Sequence, residues 1–78
     1  MEDFMSPEKA AIQLILNDVK KYTTSLNYAV GYCRVAMGLK EGSAEFKTQC
    51  MYILDDIQHW IHPSARHVRL ILKGVIKQ

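Results

Sequence analysis

The chain is poor in residues that interrupt helices or cross-link a fold: among 78 residues it has two prolines, four glycines and two cysteines. Two cysteines are too few for the disulfide framework of a small secreted domain, and with three histidines they leave little material for a structural zinc site. No apolar run reaches the roughly 18 residues of a membrane span, since Asp18, Lys20 and Lys21 interrupt the first apolar stretch and Asp55 and Asp56 the second. The start, Met1-Glu2-Asp3-Phe4-Met5, is acidic and lacks the basic residues and apolar core of a secretory signal. The expectation is a cytoplasmic protein that does not enter a membrane. Enzyme signatures are also missing: there is no glycine-rich phosphate loop, nucleophile elbow, Cys-x-x-Cys or His-Glu-x-x-His. A small helical chain has little interior for a pocket of several hundred Å3. No catalytic residue, cofactor or enzymatic activity is therefore expected.

What the chain does have is globular composition, with 49% apolar and 23% charged residues, which argues against disorder. Its length fits one domain, whose single core would supply only a few kcal/mol of net stability, so self-association is the expected support. The net charge of +2 is unevenly placed. Residues 64–78 carry four cations and no acid, which leaves −2 for the rest.

Punctuation divides the chain into three expected helices. Ser6-Pro7-Glu8 reads as an N-cap, a proline at the first helical position and an acid at the positive end of the dipole. From there Ala11, Ile15, Val19, Tyr22, Leu26, Ala29, Cys33 and Ala36 recur in steps of three and four, which predicts one long helix over about 7–37. Thr23, Thr24, Ser25, Asn27 and Gly31 weaken its middle, but the seam keeps its phase across them, and continuity through Ser25 is preferred. Gly38 to Gly42 form a connection, and Ser43 caps a second helix over about 44–61, in which Phe46, Cys50, Ile53, Ile57 and Trp60 share a face. His62-Pro63-Ser64 ends it, and a third helix covers about 65–77. The expected fold is all-α: a single helical domain with a long N-terminal helix packed antiparallel against two shorter ones.

A hairpin turning near residues 41 and 42 sets Cys33 level with Cys50, Leu26 with Ile57 and Tyr22 with Ile61. Residues 7–21, with Ile12, Leu14, Ile15, Leu16 and Val19, would then lie beyond the reach of the second helix. The third helix either runs along that half or folds back into a bundle. An elongated body would leave apolar strips for a second copy to cover, so a homodimer or larger oligomer is expected.

The principal site candidate is the last helix. At 100° per residue Arg66, Arg69, Lys73 and Lys77 fall in one sector, opposite Ala65, Val68, Ile71, Leu72, Val75 and Ile76. Such a stripe can be an ordinary solvated face, can follow phosphates, or can meet an acidic protein surface. The pI of 8.6 and the absence of a clear helix-turn-helix pattern favour the protein partner, with nucleic acid the alternative. Replacing Arg66, Arg69 and Lys73 together is expected to abolish partner binding and leave folding intact. Tyr28 and Tyr32, four residues apart and beside the seam, are a second candidate surface for a subunit or partner. Asp55, His59 and His62 stand at i, i+4 and i+7, a metal-capable spacing on a helix. An Asp55 to His59 surface pair and a helix-end His62 explain them better, so no metal is expected. Cys33 and Cys50 are read as buried thiols that pack as small apolar groups. The function expected is a small regulator or inhibitor that works by binding.

Overall fold

The computed structural model describes residues 5–18 and 27–77. They form four helices, α1 (Pro7–Asp18), α2 (Asn27–Met37), α3 (Ala44–Asp56) and α4 (Ala65–Lys77), and the described residues contain no strand. The starts of α1 and α3 have local causes. The Ser6 hydroxyl oxygen accepts the Lys9 backbone N–H at 3.1 Å, and Pro7 occupies the position where a backbone donor would find no helical acceptor. The same hydroxyl bonds to Glu41 in the α2–α3 connection. That bond, ahead of the loop backbone and the Lys9 ammonium 3.9 Å away, holds the Glu41 carboxyl below its ordinary range. Gly42 turns the chain into α3 at φ 89°, a left-handed angle that favours glycine. Ser43 follows in extended conformation, and its Oγ accepts the Phe46 N–H at 3.1 Å.

The helices pack in chain order, α1 on α2, α2 on α3 and α3 on α4, and α4 returns to α1 to close a ring. Its centre holds Ile12 and Ile15 of α1, Cys33 of α2, Phe46, Cys50 and Ile53 of α3, and Val68 and Leu72 of α4, all fully buried. Burying each large aliphatic side chain contributes about 1.5–3 kcal/mol, which makes this core the main source of stability. On α2 the buried positions are small, Ala29, Cys33 and Ala36, and suit a close approach to α3.

The long first helix is corrected. A continuous helix over 7–37 would span about 46 Å at 1.5 Å per residue, whereas the greatest extent of the molecule is 31 Å. Instead α1 and α2 are separate helices packed on each other. The physical reason is burial: Ala11, Ile12 and Ile15, which the extended hairpin would leave beyond the second helix, are at most 2% exposed within this ring. The expected levels of Tyr22 and Leu26, and the joint at Ser25, lie outside the described residues. Of the two paths open to the last helix, α4 takes the one folded back into the bundle, and it is α4 that covers α1. That covering removes the uncovered strip of α1, one of the two grounds on which an oligomer is expected.

The second helix, expected to reach residue 61, ends at Asp56, with Ile57 as its C-cap donating to the Ile53 carbonyl. Leaving the helix there lets Trp60 turn toward α1, where its indole Nε1 donates to Asp18 Oδ2 at 2.8 Å in a buried hydrogen bond. The indole also stacks on the His62 ring, centroids 5.0 Å apart. No helix among the described residues is long and apolar enough to cross a membrane.

Candidate functional site

The cationic face of α4 follows from what its other face does. Ala65, Val68, Leu72 and Val75 are in the core, so the helix is held with Arg66, Leu70, Lys73 and Lys77 outward. Use of the apolar face against a bilayer would require the bundle to open. Arg66, Lys73 and Lys77 are exposed and have no carboxylate partner among the described residues. Lys73 and Lys77 also lie toward the negative end of the helix dipole, which favours their charge there.

Arg69 differs from the other three. It is partly buried, and its Nη1 donates to the Ile57 and Trp60 carbonyls, each at 3.3 Å. These carbonyls belong to the end of α3 and the turn after it, and that of Ile57 also accepts the Trp60 backbone N–H at 3.1 Å. Three of the four expected cations therefore form an outward row, and the fourth ties α4 to the turn. Within the row stands Leu70, 59% exposed, a residue the cation pattern overlooked although its position on the helix wheel lies among them.

Asp55, His59 and His62 are not brought onto one helical face, because α3 ends before His59 is reached. His62 Nδ1 accepts the Ser64 backbone N–H at 2.9 Å while the ring lies on Trp60. Among the described residues no group of three or more His, Cys, Asp or Glu side chains is placed to hold a metal ion. A cleft of about 260 Å3 lies between the start of α3 and the end of α4, lined by Gly42, Ser43, Ala44, Lys47 and Val75. It gathers no set of acid, base and nucleophile.

On the opposite side of α3, Tyr28 is exposed and Tyr32 half-buried, the latter with its ring 5.0 Å from that of Tyr52 and tilted by 41°. The sequence pattern paired Tyr28 with Tyr32 and missed Tyr52, although the expected hairpin register, with Cys33 level with Cys50, places it nearby. Two acceptors at this seam, Gln49 Oε1 and Asp56 Oδ2, are buried without a hydrogen-bond partner. Burial pushes the Asp56 carboxyl above its ordinary range, and the neighbouring Asp55 charge adds to the shift. Cys33 and Cys50 are free and buried. Burial, helped by the other thiol and by Asp56, pushes Cys33 up to about 12, and burial with the Glu8 charge pushes Cys50 up to about 11. Neither is a ready nucleophile. No family model matches this chain, and no curated protein or solved structure is found to be similar to it.

Proposed function

We propose that this chain is a small cytoplasmic, non-enzymatic regulator or inhibitor that acts by binding another protein, with the outward face of α4 against an acidic surface. The observation that carries the reading is Leu70, 59% exposed, with Arg66 one turn before it and Lys73 one turn after. A leucine ringed by cations suits a protein surface, where an apolar contact is surrounded by charge pairs that steer encounter and fix register. A phosphate backbone would use the cations and leave the leucine without a partner. Free thiols at Cys33 and Cys50 fit a reducing compartment.

The variant that tests this replaces Arg66, Lys73 and Lys77 by alanine. Arg69, part of the triple substitution suggested by the sequence, is left in place because its bonds to two carbonyls belong to the fold. Anisotropy titrations with a labelled glutamate-rich peptide, duplex DNA and RNA are run at low and moderate salt. Peptide binding that disappears in the triple variant supports the reading. Binding of nucleic acid that falls steeply with salt replaces it with the alternative, a nucleic-acid-binding regulator. Binding of none makes the row a solvated face and overturns both.

A further inference from the structure

The α2–α3 seam carries a strip whose spacing mirrors that of α4. The Tyr32 to Tyr52 contact sets the register of this antiparallel pair. Four residues back on α2 and four on along α3, Tyr28 comes level with Asp56; three residues the other way, Val35 comes level with Gln49. Tyr28 is 75% exposed, Val35 52% and Tyr52 47%, so the strip is an outward apolar band. Its α3 edge reads Glu45, Gln49, Tyr52, Asp56, in steps of four, three and four. Gln49 and Asp56, both half-buried, stand on either side of Tyr52, and Glu45 is exposed at the end. The band thus has an aromatic middle with an acidic residue, Glu45 or Asp56, toward each end of its α3 edge.

The outward row of α4 reads Arg66, Leu70, Lys73, Lys77, again in steps of four, three and four. Laid antiparallel along α3, this row sets Arg66 against Asp56, Leu70 against Tyr52, Lys73 against Gln49 and Lys77 against Glu45. Arg66 and Lys77 then each face an acidic residue and Lys73 a glutamine, and the leucine meets the aromatic pair. Laid parallel, it would put Leu70 on Gln49 and Lys73 on Tyr52, so the chemistry selects the antiparallel direction. Both rows extend about 16 Å, eleven steps of 1.5 Å each.

We propose that the α2–α3 strip is a docking site for α4 of a second copy of this chain. The proposal rests on the reading of α4 as a protein-binding helix and names one occupant for it. The contact joins two unlike surfaces, so it is heterologous: it closes as a reciprocal pair or a ring, or else propagates. Because the unlike surfaces lie on one chain, self-association competes with any acidic partner for α4, and the free regulator is held in reserve by its own concentration.

The experiment is sedimentation equilibrium of the full chain with two surface variants, Leu70→Glu, which spoils α4, and Tyr52→Lys, which spoils the strip. Circular dichroism checks that both fold. The wild type is expected to self-associate with rising concentration and to weaken about tenfold between low and half-molar salt, as exposed charge pairs are screened. Each variant alone is expected to be monomeric, and an equimolar mixture to form a pair, since one copy still offers a sound α4 and the other a sound strip. A wild type that stays monomeric at every concentration overturns the proposal, as do variants that self-associate like the wild type or a mixture that stays monomeric. The glutamate-rich peptide separates this failure from that of the functional reading. If the wild type is monomeric yet binds the peptide, only self-docking falls; if it is monomeric and binds no peptide, both fall.

Discussion

Arg69 and Arg66 stand three residues apart on the same helix and meet different surroundings. Arg69 bridges two carbonyls where α3 stops, and Arg66 faces solvent. Arg69→Ala is therefore expected to cost about 1–2 kcal/mol, because it removes the charge-assisted hydrogen bonds that tie α4 to the end of α3. Arg66→Ala should change stability by less than about 0.5 kcal/mol. Urea unfolding of the two variants checks this, and equal midpoints would contradict the assignment. The stripe itself was legible at the residue scale, since helical spacing alone collects the four cations. Which of them the fold would recruit was not, because the acceptors lie 12 and 9 residues earlier in the chain and come within reach only once α4 has docked on the end of α3. The same limit applied to Asp18, whose spacing on α1 gives no sign of a tryptophan 42 residues on.

At the scale of elements, the starts of the helices were written in plain chemistry. Ser6-Pro7, Gly42-Ser43 and the Pro63 region mark where α1, α3 and α4 begin, because a cap or a proline acts on neighbouring backbone and needs no distant partner. Ser43→Ala is expected to lower stability by about 1 kcal/mol through loss of the acceptor for the Phe46 N–H, with Ser43→Asp retaining most of it; thermal unfolding followed by circular dichroism measures both. The division of the first helical region was not legible from phase. Phase shows only that each segment has an apolar face, and two helices that bury those faces in one core keep it as well as one long helix would. Burial of Ile12 and Ile15 within the chain decides the outcome.

Across the whole molecule, the ring of four helices buries both thiols, and this sets a dependence on alkaline pH. In the unfolded chain each thiol ionises near its ordinary 9.0, while in the folded one Cys33 keeps its proton up to about 12 and Cys50 up to about 11. Their contribution is complete below pH 9 and is lost as pH rises toward the folded values, by about 1.4 kcal/mol per thiol at pH 10. Urea midpoints at pH 8 and 10 should show the loss, and a Cys50→Ala variant should show a smaller one; equal slopes would contradict it. The basic row and the Tyr28 to Tyr32 pair could be read from the sequence as faces. Their mirrored spacing with the α3 edge emerges only when the Tyr32 to Tyr52 contact fixes the register. The single tryptophan has a practical use that follows from where it sits. Trp60 leaves the end of α3 and anchors on the last residue of α1, so its fluorescence is a built-in gauge of whether the first helix is seated. Emission that shifts to the red before the helical signal is lost would record α1 lifting away while the rest of the bundle stands.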